Sequence, residues 1–416
     1  MASPDVTGTG LPGVFTVLIA PSGFKESIAP AVAAEAMAKG VARAAPQARI
    51  LTAPIFDGGE GFTEGLVALT GGDLHRIRVT GPLGYPVEGF FGILGGGPLT
   101  AVIEVAAAAG LGLIPFERRN PTATTSFGLG ELIIAALDAG AEQILLGCGD
   151  SGINDAGAGM AQALGVGLLD GNGVALGRGA LELARLACID LAGRDPRLSR
   201  VPVRAAVNWH NVLLGERGVS RRYGPQKGAT PEQVERLEAA METFASVVRT
   251  TMAIDVAHGS GMGASGGLGA GLVALLGGKL HDRYELLMQY TAFDRFLAEA
   301  DLVLTAEGAI DAKTPFGKVP AEVGRRAREQ GVPVIALAGS LGEGCDDVLA
   351  HGIDAFAGIL GSPCTHDEAL RTTAAQLERA AESAVRMVRI GMRLAQGGKG
   401  IGGLSIGRHP AAVCRR

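Results

Sequence analysis

Two stretches of alternating strand and helix, one at each end of the chain and separated by roughly 200 residues, constrain the fold most. The first begins with VFTVLIAP (14–21), a short apolar run ending in turn residues. It continues with APAVAAEAMAKGVARAAP (29–46), where Ala, Val and Met recur at helical spacing, then ARILTAPIF (48–56) and the helical FTEGLVALTGG. The second runs ADLVLTAEG (300–308), VPAEVGRRAREQG (319–331), VPVIALAGS (332–340) and IDAFAGIL (353–360), and a helix from Asp367 to about Leu394 closes it. Strands alternating with helices specify a parallel sheet, because each crossover carries the chain back over a sheet face.

Both stretches can share one doubly wound sheet if the chain between them forms its own body. The expected fold class is therefore α/β: a discontinuous Rossmann-like domain (14–75 plus 290–395) with an inserted second α/β domain (76–289) and tails at 1–13 and 396–416. Within the insert, HRIRVTGPLGYPVEGFFGILGGGPLTAVIEVA alternates and turns like antiparallel strands. TSFGLGELIIAALDAG reads as a helix, and AEQILLGCGDSG leads from strand into helix. With 416 residues, 47% of them hydrophobic and 19% charged, the chain can fill two cores.

Composition also removes function classes. A net charge of −5 without a basic run, and aromatics at 4%, disfavour nucleic acid and stacked-base or sugar platforms. The five cysteines have no CxxC or CxH spacing, which argues against a zinc site or disulfide framework and for a reducing compartment. The N-terminus lacks a basic n-region, and the richest apolar stretch (101–116) is broken by Glu104, glycines and Pro115, so a cytoplasmic protein without membrane spans is expected.

Several loops carry candidate chemistry, each with a plainer alternative. GCGDSG (147–152) fits GxGxxG after a strand, with Asp170 eighteen residues on; nicotinamide binding competes there with a phosphate or substrate loop. HGSGMGASGGLGAGL (258–272) would let backbone donors approach an anion, or give two segments room to pack. DGGEG (57–61) and TAEGAIDAKTPFGK place Asp57, Glu307 and Asp311 after strands, as metal ligands, proton acceptors or ordinary caps. Lys25 and Lys318 add cations nearby. Lys227 before a helix suits phosphate or a capped turn, and His210 in VNWHN is a base, a ligand or a surface histidine. GxxxxGK[ST] and GxSxG are both absent, which removes a Walker A fold and a serine hydrolase elbow.

In this order the strings resemble the bacterial glycerate kinase family, from about Val14 to Leu394. IAPSGFKES is similar to that family's IAPDSFKES, PIFDGGEGF to PxADGGEGT, and TTSFGLGEL to TTSRGTGEL. GCGDSGINDAGAGMAQALG resembles GGSATNDGGAGMLQALG, RRYGPQKGA resembles FGPQKGA, and SGMGASGGLGAGL with TAEGAIDAKTPFGKVP resembles GAGAAGGLGAAL with TGEGRIDxQTxxGKxP. The resemblance implies the glycerate kinase fold and transfer of the γ-phosphoryl of Mg-ATP to a hydroxyl of a small acid. The departures are Ser22 for Asp, Phe62 for Thr, Phe127 for Arg, Leu129 for Thr, Ile153 for Thr, Asn208 for Asp, Val212 for Pro and Ala309 for Arg.

Two lost arginines leave a carboxylate without its usual forks. The expected acceptor is therefore a neutral cyclitol or sugar-like polyol leaning on Phe62, Phe127 and Trp209. D-glycerate is the alternative, and a metabolite-binding pseudokinase or NAD-binding oxidoreductase are further ones. The roles expected are Asp57 as base with Asp155 competing, Lys25 and Lys318 on phosphoryl oxygens, and Glu307 and Asp311 on Mg²⁺. Ser22, Asn154, Asn208 and His210 would meet the acceptor, and Gly149, Gly263, Gly266, Gly267 and Lys227 the nucleotide. ATP and a small polyol or hydroxy acid are the expected partners, with a homodimer as an open arrangement.

Overall fold

A computed structural model of the chain describes residues 14–396, so the expected tails lie outside the described residues except Gln396, which ends the last helix. In chain order the strands are β1 (Thr16–Ile19), β2 (Arg49–Thr52), β3 (Asp73–Thr80), β4 (Pro86–Ile93), β5 (Thr100–Glu104), β6 (Gln143–Gly147) and β7 (Gly167–Leu169). They continue with β8 (Cys188–Asp190), β9 (Val203–Val207), β10 (Lys279–Asp282), β11 (Leu302–Ile310), β12 (Val334–Leu341) and β13 (Ala355–Gly358).

Two sheets result. The first has the order β13-β12-β11-β1-β2 and is parallel throughout. It unites the two ends of the chain through β1 and β11, paired in register from Val17 opposite Leu302. Burial on both faces explains why β1 reads TVLI without alternation. The second sheet has the order β10-β9-β6-β5-β4-β3, antiparallel at β3-β4-β5 and parallel beyond. A small β7–β8 pair stands apart.

Local signals set the helices. Pro30 opens the helix Pro30–Ala44, and Gly331 in the left-handed conformation ends Val319–Gln330. The Thr230–Gln233 capping box starts Pro231–Met252. The closing helix His366–Gln396 lies against Pro30–Ala44 so closely that a side chain at Gly40 would run into Glu378 O. Ser27 Oγ ties the same helix at Leu370 O and Thr373 Oγ1. Among the described residues no helix is long and apolar enough to cross a membrane.

Two helices bear on the division expected at 75/76 and 289/290. Helix Phe62–Thr70 buries Phe62, Leu66 and Val67 against Val102 and Leu145 of the second sheet. Helix Arg283–Thr291 is shared, with Leu286 and Leu287 in that cluster and Tyr284 and Met288 in the core under the first sheet. Packing supports a proposed seam near residue 61, with 283–291 as the return.

Candidate active site

The carboxyl ends of the two sheets face each other, and glycines set the distance. A side chain at Gly147, which ends β6, would strike Phe62 and Gly58 O; one at Gly149 would strike the backbone of Gly59. The DGGEG and GCGDSG loops therefore touch main chain to main chain. Asp150, at φ 47°, turns its carboxylate across this contact. Its Oδ1 meets Lys25 Nζ at 2.5 Å, and its Oδ2 accepts the Glu60 N–H at 3.1 Å. Thus one aspartate joins loops from β1, β2 and β6.

Asp57 follows β2, and its Oδ1 accepts the Gly59 N–H at 3.0 Å. Arg283, at the end of β10, reaches over: Nη1 donates to Asp57 O at 3.3 Å and lies 4.0 Å from Asp57 Oδ2. Its Nη2 donates to Gly317 O, which also accepts the Tyr284 hydroxyl at 2.9 Å. Glu307 sits within β11, and burial with the nearby Asp57 charge pushes its carboxyl up to about 7, against the pull of Lys318. Lys318 Nζ donates to Ala309 O at 2.9 Å and Asp311 Oδ1 at 3.1 Å. Burial works against the Asp311 charge, but that ammonium prevails and holds its carboxyl below the usual range. At Lys25, too, burial opposes the charge, and Asp150, Asp57 and Glu307 outweigh it to raise the ammonium.

A cavity of about 290 Å³ adjoins this cluster at Arg283 and Gly317; Asn208, His210 and Tyr284 line it with Glu322, Arg325 and Arg328, whereas Lys25, Asp57, Glu307, Asp311 and Lys318 do not. Asn208 follows β9 and accepts the His210 N–H at 3.0 Å; both side chains face Gly317 of the first body across the opening. Ser22 is buried after β1 and donates to Ala306 O at 3.1 Å, beside Glu307. Lys25, Asp57, Glu307, Asp311, Lys318, Ser22, Asn208 and His210 therefore belong to one neighbourhood.

Other expected site residues do not. Phe62 is 1% exposed and part of the core under the second sheet, so it cannot wall an acceptor. Its position as the first residue of a helix left its facing open until β4 to β6 were in place. Phe127 opens the helix Phe127–Asp138 and lies beneath Arg178, whose Cζ is 3.5 Å from the ring centroid. Trp209 is 41% exposed beside the Gly261 turn.

Asp155 is fully buried and accepts four bonds, from Ser126 N–H and Oγ–H and from the N–H groups of Gly157 and Gly159. Burial raises its pKa against those bonds. It ties two helix starts together rather than competing with Asp57 as base. Asn154 is buried and donates to Ser220 Oγ at 3.3 Å, which withdraws it from an acceptor.

The glycines expected around nucleotide phosphates also serve packing. Side chains at Gly263 and Gly266 would run into Val212 O and Ile153 O, and one at Gly267 into Leu213 and Ala156. The Gly263 N–H is spent on Asn211 O and the Gly267 N–H on Gly263 O. Lys227, 4% exposed, donates to Ile153 O at 2.6 Å and Ser151 Oγ at 3.2 Å, pinning the loop from beneath; burial lowers it to about 7 despite Asp155. The loop 147–152 does not open a helix either, since the next helix begins at Ala158 and runs only to Ala163. Asp170 caps the β7–β8 connection, accepting from Asn172 and Val174 N–H and pairing with Arg185, so the dinucleotide pattern lacks both its helix and its ribose acid.

The sequence model of the glycerate kinase family matches residues 17–389. The chain belongs to the glycerate kinase family. It is 45% identical to a glycerate kinase of Halalkalibacterium halodurans over 88% of this chain and 97% of that protein. It is 42% identical to the glycerate 2-kinase of Escherichia coli K12 over 91% of this chain and 99% of that one. A crystal structure from Salmonella typhimurium LT2, described as that of a glycerate kinase 2, superposes with a TM-score of 0.78 at 40% identity, covering 91% of this chain and all of that one. The glycerate kinase fold and an enzyme that phosphorylates a hydroxyl acceptor follow from this membership.

Three residues of this candidate site were missed in the sequence. Asp150 stood inside a motif read for its glycines. Glu104 was noted only as breaking an apolar stretch, yet it ends β5 buried beneath the DGGEG loop and accepts the Gly61 and Thr63 N–H groups at 3.3 and 2.9 Å. Arg283 carried one signal, a cation directly after a short strand, and the partner that makes it notable lies 226 positions away.

Proposed function

We propose that this enzyme phosphorylates glycerate with Mg-ATP. The polyol reading rested on missing guanidinium groups and on Phe62 and Phe127 as acceptor walls. Phe62 is core, Phe127 is covered, and Arg283 brings a guanidinium beside Asp57. The names of the relatives point the same way. The observation that carries the reading is the convergence of Lys25, Asp57, Glu307, Lys318 and Arg283 where the ends of both sheets meet.

Phosphoryl transfer depends on alignment and charge neutralisation more than on covalent chemistry. Asp57 takes the proton of the acceptor hydroxyl as that oxygen bonds the γ-phosphorus and the bond to the departing ADP oxygen breaks. Lys25 and Lys318 offset the charge on the phosphoryl oxygens, each held by one aspartate. Magnesium in kinases takes one or two carboxylates and completes its shell with phosphates and water. Two carboxylates of the cluster, Glu307 and Asp311, suit that chemistry, whereas among the described residues no group of three or more ligand side chains could hold an ion by itself. The three side-chain and main-chain donors on Asp311 all fall on Oδ1, while Glu307 is held at about 7 beside another carboxylate. Glu307 and Asp311 would hold the ion, which when bound spreads the charge of the β- and γ-phosphoryl oxygens.

An ATP-consumption screen of D-glycerate, L-glycerate, glycerol and myo-inositol tests this. D-glycerate is the expected acceptor. Faster turnover of either neutral polyol overturns the reading.

A further inference from the structure

We propose that Arg283 is the guanidinium that receives the acceptor carboxylate, and that with Asp57 it selects an α-hydroxy acid. The inference deepens the glycerate reading and rests on it. Arg283 belongs to the second sheet's side of the molecule, yet its head lies among loops of the first, 15% exposed and packed on the Tyr284 ring with Cζ 4.7 Å from the centroid. The carbonyls of Asp57 and Gly317 take two of its five donors and fix the plane of the fork. Arg283 is itself one of the residues that line the cavity, with Asn208 and His210.

The other two cations are committed. Lys25 and Lys318 meet carboxylates at 2.5 and 3.1 Å, whereas Arg283 meets Asp57 Oδ2 only at 4.0 Å. A planar fork suits a carboxylate better than an ammonium does. An α-hydroxy acid carries its carboxylate on the carbon that bears the hydroxyl, so the groups that bind the two must be neighbours. A base within about 3 Å of the hydroxyl then stands next to the fork that holds the acid. Asp57 and Arg283 meet that requirement. A neutral polyol leaves the fork facing no charge, and a buried polar group without its partner rejects such a ligand strongly.

The test compares glycerate with glyceramide, its neutral amide, in the wild type, Arg283→Gln and Arg283→Lys. The wild type should prefer glycerate. In Arg283→Gln, KM for glycerate should rise about 30-fold with KM for ATP within twofold, and the preference over glyceramide should collapse. Arg283→Lys should recover part of the preference, and it carries the test should Arg283→Gln lose its fold by releasing Gly317. Thermal protection by ATP-Mg establishes that a variant is folded. An unchanged preference in a folded variant that turns over glycerate overturns the role of Arg283. A fall in kcat with both KM values unmoved overturns it as well. No glycerate turnover by the wild type removes instead the functional reading beneath it.

Discussion

The two sides of the cleft are built by opposite means. On the first sheet, the end of β11 carries Glu307 and the loops after β1, β2 and β11 carry Lys25, Asp57, Asp311 and Lys318, and their charged heads meet at the opening. On the second sheet, the segments 147–157 and 259–271 are rich in glycine, and most of that glycine is pressed against other main chain. In the proposed function the charged side performs the chemistry, while the glycine side brings main chain into close contact. A glycine-rich loop beside a phosphoryl-transfer site is thus not automatically the loop that holds phosphate, since glycine equally serves two backbones that must touch.

The largest effect expected from this contrast is on the charged side. Asp57→Asn keeps the size and the Gly59 contact but removes the proton acceptor, so kcat should fall about 10²- to 10⁴-fold with the melting temperature little changed. Steady-state assays with D-glycerate, beside thermal unfolding, check both parts. Retention of full turnover would remove Asp57 as the base and pass the role to another carboxylate.

The glycine side should respond in stability instead. Gly266 has φ 72°, and a methyl there would run into Ile153 O and Asn154 Cα; Gly277 has φ 73° with open space around it. Both substitutions to Ala carry the same left-handed strain, about 1 kcal/mol. Only Gly266→Ala adds a backbone collision, so it should cost about 3 kcal/mol or more, while Gly277→Ala stays near the strain alone. Chemical denaturation of the pair measures the difference. Equal losses would mean that crowding is not why the glycines stand there.

How much of this was legible in the sequence follows the same division. The strands and helices of the first sheet were readable because parallel strands buried on both faces are unbroken apolar runs, as in β1 and β12. The charged residues were readable because Asp57 and Lys318 follow such strands and Glu307 lies near the end of one, and ligands collect at strand ends. The glycine loops misled, because the signal for close approach is identical for an anion and for Val212 O. Phe62 misled because its facing is decided by a sheet formed 30 to 140 residues later. Arg283 carried only the weak signal of a cation after a short strand, because pairing of β10 with β9 is what brings it to Asp57.

The effect that joins the two sides concerns Glu104. This carboxyl ends a second-sheet strand but caps the start of helix Phe62–Thr70 under the Asp57 loop. Burial pushes it up from 4.5 to about 7, opposed by the Thr63 and Gly61 N–H groups. Below pH 4.5 it is protonated folded or unfolded and adds no pH dependence. Between 4.5 and about 7 the unfolded chain has lost the proton that the folded one keeps, so stability falls as pH rises, by about 3 kcal/mol in all. Glu104→Gln removes that slope but keeps only one acceptor for two N–H groups, a loss of about 1 kcal/mol. Denaturation curves of the two proteins should therefore cross: the variant is the less stable near pH 5 and the more stable near pH 8. A difference that stays constant across that range would mean that Glu104 is charged in the folded enzyme throughout, with the helix start, rather than burial, deciding its protonation.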